Sequence, residues 1–473
     1  MQTFERRLEL PVDVTELYRW HTQPGAFERL GPPWEEVELL SRPAPIVEGA
    51  QQQMMVRVGP ARMRWVSRIE EVVPDKLFRD VATESPFAHW EHTHLMESRG
   101  PGRSTLVDRI EYALPAGPIG GLLGGSAVRR RLEQAFAYRH RVTANDLARH
   151  QSVAGVKPMD VLVTGASGLV GSVLTSFLTT GGHRVRHLVR RDRENENEFR
   201  WDPATGVIDP RSVEGADAVV HLAGENIAAK RWSAVQKDRI RRSRIEGTRL
   251  VADAVRGAKQ RPHTFVTASA VGWYGDRGDE WLDEESSRGT DFLAETCADW
   301  ESEATRVAEV RTVPVRFGVI LSPAGGALRK MLLPFKMGAG GRIGSGRQWM
   351  SWISIDDAVG ALYRALVDKS LEGPVNAVSP NPVTNAEYTR TLGSVLRRPA
   401  IAPMPALAAR LAFGELADAL LLASQRVKPV RLSSSGFEFA YPELEGALRH
   451  LLGRDGGVPQ SAPTPTAAAT AAS

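Results

Sequence analysis

One short string in the middle of the chain, Val161-Leu-Val-Thr-Gly165-Ala166-Ser167-Gly168-Leu169-Val-Gly171-Ser172, has the residue types and spacing to hold a diphosphate. Glycine is common here, with 43 in the chain, so a few glycines three residues apart say little by themselves. Their position says more: an apolar strand runs directly into the first, and Ser172-Val-Leu-Thr-Ser-Phe-Leu continues from the last as a helix. A side chain at Gly165 or Gly168 would block the tight turn or the approach of a pyrophosphate to the backbone. Gly171 lets the helix close on the strand, so that N–H groups and the helix dipole face an anion.

Two later strand ends extend this reading. Val189-Arg190-Arg191-Asp192 closes the second strand. An acidic residue there would accept from an unmodified adenosine ribose, whereas two arginines offer a fork to a 2′-phosphate. The arginines favour NADP over NAD, with Asp192 keeping NAD open. The third strand ends in His221-Leu222-Ala223-Gly224-Glu225-Asn226, where small residues let a nicotinamide-side ribose lie against the backbone.

The elements that must position these groups follow from length and pattern. A chain of 473 residues has room for about three domains. With 42% hydrophobic and 25% charged residues it is globular in composition. Its 60 Lys+Arg against 56 Asp+Glu leave a charge of +4 without a dense basic block, so nucleic acid is not an expected partner. The single cysteine, Cys297, excludes an intramolecular disulfide and a Cys-based metal cluster and fits a reducing, cytoplasmic setting. No apolar stretch reaches the roughly 18 residues of a membrane span.

Continuous apolar strands at residues 160–164, 184–189, 218–222, 264–268 and 312–316 alternate with helical stretches, as in a parallel sheet covered on both faces. This places an α/β Rossmann-type domain over residues 159–398, a helical C-terminal cap over 399–452 and a disordered tail over 453–473. Residues 153–158 read as a linker. Residues 1–152 read as an α+β domain whose antiparallel strands wrap a long closing helix beginning near Ala127.

Gly165-x-x-Gly168-x-x-Gly171, then Leu222-Ala223-Gly224, then Ser269-Ala-Val-Gly-Trp-Tyr274-Gly275 resemble the extended short-chain dehydrogenase/reductase superfamily. More narrowly, the chain resembles its atypical, sugar-nucleotide-epimerase-like branch with its own C-terminal domain. The strings that carry this are Leu222-Ala-Gly-Glu-Asn-Ile227, Arg231-Trp232, Ser243-Arg244-Ile245, Gly344-Ser-Gly-Arg347-Gln-Trp349-Met-Ser-Trp352-Ile-Ser-Ile-Asp356-Asp357 and Gln425-Arg-Val-Lys-Pro429. The resemblance implies NADP(H) contacts from Gly165, Ala166, Ser167, Gly168, Leu169, Val189, Arg190, Leu222 and Ala223. Arg244 joins them at a position where ordinary members have Asn.

The superfamily's proton chemistry rests on a Ser, a Tyr and a Lys four residues after the Tyr. Anchored on Tyr274-Gly275, the serine position falls on Ala270, with Ser269 beside it. The segment Asp291-Phe-Leu-Ala-Glu-Thr-Cys297-Ala-Asp-Trp-Glu301 contains neither Tyr nor Lys. Tyr274, Ser269, Cys297 and Glu301 are therefore the candidate catalytic groups, although Cys297 reads more readily as a small buried helix residue. Three outcomes stay open: an oxidoreductase or epimerase of a small hydroxy, keto or nucleotide-sugar-like compound using other groups; reduction of a reactive substrate needing little acid; or an NADPH-responsive binding protein without turnover. Arg347 offers a pair to a substrate carboxylate or phosphate, and Trp349 and Trp352 an apolar wall. Asp356-Asp357 reads as a helix N-cap rather than a metal site.

Residues 1–150 resemble the helix-grip ligand-binding superfamily of polyketide cyclases and START-like lipid carriers. The resemblance rests on the element order, on Phe87-Ala-His89-Trp90-Glu91-His92-Thr93-His94 and on Pro115-Ala-Gly117-Pro118 before the closing helix. It implies an apolar cavity for a hydrophobic small molecule. His92 and His94 share one strand face with Trp90. No carboxylate or cysteine lies at ligand spacing, so no metal is expected.

Overall fold

In the computed structural model of this chain the described residues are 1–455, apart from 42, 43, 116, 154 and 308. Nearly all of the expected tail, residues 456–473, and part of the expected linker lie outside them. Two compact units result among the described residues: Met1–Tyr18 with Glu38–Ala148 and residues 453–455, and Arg19–Val37 with Arg149–Leu452.

The first unit is built on strands β1 (Gln2–Leu10), β2 (Val37–Leu39), β3 (Gln51–Val58), β4 (Ala61–Val73), β5 (Leu77–Glu84), β6 (His89–Ser98) and β7 (Ser104–Ala113), in the order β1-β7-β6-β5-β4-β3-β2. Alternation along β6 sends His92, His94 and Met96 inward. Helix α1 (Val14–Thr22) follows β1 and runs on toward α2 (Ala26–Leu30), which belongs to the second unit, and the long α3 (Gly117–Gln151) follows β7. From α3, Leu132 and Phe136 pack on Phe4, Ile110 and Tyr112, each such side chain contributing roughly 1.5–3 kcal/mol of burial.

The sequence pattern starts this helix near Ala127, but it begins at Gly117. A Cβ at Gly125 would stand 3.1 Å from the Gln2 amide and one at Gly124 3.5 Å from Leu114. These glycines serve close approach of the helix, which leaves no apolar period to read.

In the second unit the sheet strands are β8 (Asp160–Thr164), β9 (Arg184–Val189), β10 (Glu198–Asp202), β11 (Val207–Ile208), β12 (Ala218–His221) and β13 (Thr264–Ala270). After the short β14 (Trp281–Leu282) comes β15 (Arg311–Phe317), then β16 (Val319–Leu321), β17 (Trp349–Met350), β18 (Trp352–Ser354) and β19 (Val375–Ala377). Helices α4 (Leu169–Thr180), α5 (Ala234–Gly257), α6 (Phe292–Ala304), α7 (Gly326–Lys336), α8 (Ile355–Val367) and α9 (Asn385–Leu396) intervene.

The large sheet runs β11-β10-β9-β8-β12-β13-β15-β19 and is parallel except between β10 and β11. Val161 and Val163 face Leu174, Phe177 and Leu178 of α4 and Leu362 of α8, while Leu162 faces Val251 and Val255 of α5. Both faces are covered, as the continuous apolar strands require. The chain leaves β8 for β9 on one side and returns to β12 on the other, so the order reverses at the carboxyl ends of β8 and β12, where such sheets hold ligands.

Two expectations need correction. Residues 19–37 go with the second unit, and its main span begins at Arg149 rather than 159. The reason is electrostatic: Arg29 pairs with Asp356 at 3.1 Å, and Arg149 binds Asp357 and donates to the Asp356 carbonyl at 2.7 Å. Two carboxylates buried in the first turn of α8 demand such partners. They are not the N-cap: Ser354 caps, accepting from Asp357 N at 3.0 Å, and the Asp357 carboxylate accepts from Ala440 N and Tyr441 N at 2.8 and 3.0 Å. The C-terminal segment lies within the second unit, with Leu444, Leu448 and Leu451 packing in one cluster with Leu328, Trp352 and Leu392.

These buried groups set a pH dependence. Burial opposes charge on Asp356, but the His450 imidazole at 3.2 Å and Arg29 outweigh it and hold the carboxyl well below its usual range. Its contribution is full above an unfolded value of roughly 4 and is lost as pH falls further. His150, His183 and His221 act in the same direction from higher pH, since burial takes them down to about 3, about 4 and about 3. The unfolded chain accepts protons below about 6.5 that the fold excludes. Calorimetry of the protein should show the second unit's midpoint falling steadily from pH 6.5 to 4; a flat profile would contradict this.

Candidate functional site

The glycine turn sits at the reversal in strand order. Gly165 has φ +70°, and a Cβ there would lie 3.0 Å from Ala223 N. At Gly171 a Cβ would run into the Gly165 carbonyl oxygen. Gly168 donates to Gly165 O at 2.9 Å and opens α4 as an N-cap without a side-chain bond, leaving the first-turn N–H groups to an outside acceptor. Thr164 Oγ1 accepts from Leu222 N and Ala223 N, each at 3.1 Å, and lies 2.8 Å from His221 Nδ1, which ties the tip of β8 to that of β12. Burial keeps His221 neutral, so its ring nitrogen can accept from the threonine. A backbone bare of Cβ atoms beside an uncapped helix fits a dinucleotide diphosphate.

Around the turn the expected contacts fare differently. Val189 ends β9 half-buried, and Arg190 is exposed with no ion-pair partner among the described residues. Arg191 is committed elsewhere: both its terminal nitrogens reach the Glu198 carboxylate at 2.9 Å. The expected two-arginine fork is therefore one free guanidinium. Arg244 is desolvated beside Gly224; it donates to Glu225 O at 3.1 Å and Ile240 O at 3.0 Å and lies 5.1 Å from the Trp300 ring.

Next along the carboxyl edge lie the candidate catalytic groups. Ser269, Arg316 and Asn376 stand side by side on β13, β15 and β19. Glu301 of α6 receives Arg316 at 2.8 and 2.9 Å and Ser269 Oγ at 2.6 Å. The Tyr274 hydroxyl donates to Asn376 Oδ1 at 2.8 Å and accepts from Arg316 at 3.1 Å. Trp273 underlies the guanidinium at 3.9 Å.

All of these polar groups are buried and mutually satisfied. Burial pushes the Tyr274 phenol and the Cys297 thiol each up to about 12, so neither exchanges a proton readily near neutrality. The place of the superfamily's triad holds a closed ion pair instead. Cys297→Ser should leave NADPH binding and any turnover unchanged; a tenfold loss of rate would reinstate the thiol. Arg316 and Asn376 were missed as members of this network. Arg316 carried a signal, since an arginine in an apolar strand requires a buried carboxylate.

Of the three expected substrate residues, Arg347 is exposed and Trp349 half-buried, with its Nε1 donating to Asp279 at 2.8 Å. Trp352 is no wall: it is fully buried in the core, its Nε1 donating to Asn381 O at 3.0 Å. The partner of Trp349 is Trp281 of β14, and Arg426 lies between them at 3.9 Å from each ring.

Residues 161–377 match the model of the NAD dependent epimerase/dehydratase family. An epimerase family protein of Mycobacterium bovis is 46% identical over 299 residues, which cover 63% of this chain and 98% of the relative. The chain belongs to the epimerase family. Residues 404–451 of this epimerase-family chain match a domain of unknown function, and residues 10–137 match polyketide cyclase/dehydrase and lipid transport proteins. A crystal structure titled as the nucleoside-diphosphate sugar epimerase from Corynebacterium glutamicum is 34% identical, with a TM-score of 0.78 over 96% of this chain and 90% of that one. The human epimerase family protein SDR39U1, crystallised with NADPH, is 37% identical with a TM-score of 0.58 over 62% of this chain and 99% of that one. No helix among the described residues is long and apolar enough to cross a membrane.

Proposed function

We propose that this epimerase-family chain binds NADP(H) at the Gly165–Gly171 turn. In this reading it acts as an oxidoreductase or epimerase on a small hydroxy, keto or nucleotide-sugar-like compound, without Ser-Tyr-Lys proton chemistry. The observation that carries the reading is the turn, where positions 165 and 171 admit only glycine and the helix behind it offers uncapped N–H groups. The NADPH in the human relative supports the cofactor, and the name of the C. glutamicum relative supports the nucleotide-sugar class.

Bound there, the cofactor would supply hydride transfer. The chain's own residues do the holding: the N–H groups of α4 take the diphosphate, Arg190 the 2′-phosphate, Thr164 fixes the Leu222-Ala223 backbone, and Arg347 with Trp349 orients the substrate. Arg190→Ala should weaken NADPH by roughly 10–100-fold, the worth of one charge-assisted hydrogen bond, and NADH hardly at all. Fluorescence titration with both cofactors checks it, and equal losses would remove the basis for NADP.

Burial of Tyr274, Ser269 and Cys297 favours a second reading, an NADPH-responsive binding protein without turnover. In either reading the first unit holds a hydrophobic small molecule against Trp65, Phe87 and Trp90, whose rings lie 4.8–5.8 Å apart. Steady loss of NADPH absorbance with some member of a broad carbonyl and nucleotide-sugar panel would support the enzyme. Tight binding without oxidation of the cofactor would support the binding protein.

A further inference from the structure

Inside the first unit, well away in sequence from the glycine turn, polar side chains gather on the inward face of the sheet. Asp80 on β5 stands directly opposite His92 on β6, and Asp108 on β7 directly opposite His94. Sequence spacing could not reveal these carboxylates, because strand pairing brings them in from 12 and 14 residues away. His140 joins them from α3, its Nε2 2.7 Å from Asp108 Oδ2.

Asp108 organises the group. His92 Nε2 lies 3.1 Å and His94 Nδ1 2.9 Å from its Oδ1. Phe78 stacks on His94 at 4.2 Å and Phe136 meets His92 edge-on at 5.3 Å, so the rings are held in apolar surroundings. The other side of His92 is the telling one. Its Nδ1 lies 3.8 Å from Asp80 Oδ1, too far for a hydrogen bond. That separation is close to the roughly 3.3 Å between two ligands of a tetrahedral ion with bonds of about 2.0–2.1 Å. One donor atom each from Asp80, His92 and His94 falls within 4.8 Å of the others.

We propose that Asp80, His92 and His94 bind one divalent transition-metal ion of the zinc class, with Asp108 orienting the two imidazoles from behind. A ligating histidine typically turns its other ring nitrogen to a carboxylate, which fixes tautomer and direction. Asp108 stands in that position for both rings. Three protein ligands leave a fourth position open, the arrangement of an ion that meets a ligand oxygen rather than one that only braces a fold.

The test uses the full-length protein, stripped with a chelator and titrated with Co²⁺, then with Zn²⁺ as competitor. One equivalent of Co²⁺ should bind with the intense visible bands of four- or five-coordination, and Zn²⁺ should displace it. Asp80→Asn and His94→Gln should each weaken Co²⁺ at least tenfold with the circular dichroism spectrum unchanged. Asp108→Asn, one shell further out, should weaken it by roughly 10–100-fold. Weak octahedral-type bands throughout, or Asp80→Asn and His94→Gln binding as the parent does, would overturn the site. Because Asp80 is partly exposed and its variant keeps the side-chain volume, a folded Asp80→Asn protein decides the matter even if Asp108→Asn fails to fold.

Discussion

Gly168→Val should abolish NADPH binding and leave both units folded. Gly168 is exposed at the outer lip of the turn, its φ of −78° is open to any residue, and a Cβ would meet only Gly165 O, at 3.1 Å. The backbone therefore tolerates valine with slight adjustment. The isopropyl group, however, would stand over the first N–H groups of α4, where the diphosphate must come. Charge-assisted hydrogen bonds are worth about 1.5–3 kcal/mol each, so losing two weakens binding by more than about 100-fold. Titration should show no saturation, and NADPH should no longer raise the thermal midpoint of the variant. A midpoint without NADPH equal to the parent's confirms that folding is intact. Gly171→Ala would be a poorer test, because its Cβ collides with the Gly165 carbonyl and disturbs the fold itself.

The largest loss of stability should come from Arg316→Met. Arg316 meets both carboxylate oxygens of the buried Glu301, with Ser269 as the third partner. Removing one member of a buried pair leaves an uncompensated charge, at a cost of about 3–5 kcal/mol. The same substitution deprives the Tyr274 hydroxyl of a donor and Trp273 of its stacked cation. Urea unfolding should show the unfolding free energy in water reduced by that amount, with the slope unchanged. The double variant Arg316→Met/Glu301→Leu should recover most of it, since an apolar pair of similar volume is often as stable as the buried ions. If Arg316→Met unfolds like the parent, the closed network does not exist in solution, and Tyr274 and Ser269 return as proton-transfer candidates.

The parallel sheet and its glycine turn were legible because both are written locally. Apolar runs such as Val161-Leu-Val specify a buried strand, and Gly165, Gly168 and Gly171 lie within one turn of the helix they open. Whatever depends on pairing between distant segments was not legible. Arg191 looked as available as Arg190 until β10 brought Glu198 against it. Trp349 and Trp352, three apart, looked like one wall, yet Trp352 is in the core and Trp349 pairs across Arg426 with Trp281. Arg29 and Arg149 gave no sign in sequence that they neutralise Asp356 and Asp357, which is why the boundary between units was misplaced. In the first unit the same blindness hid Asp80 and Asp108 from His92 and His94.

Crystallography of the full chain grown with excess NADPH tests the dinucleotide reading most directly. The diphosphate should rest on the first-turn N–H groups of α4, those of Leu169 and Val170, with the 2′-phosphate within hydrogen-bond reach of Arg190. A crevice closed by side chains, or a cofactor whose diphosphate lies away from that turn, would contradict it.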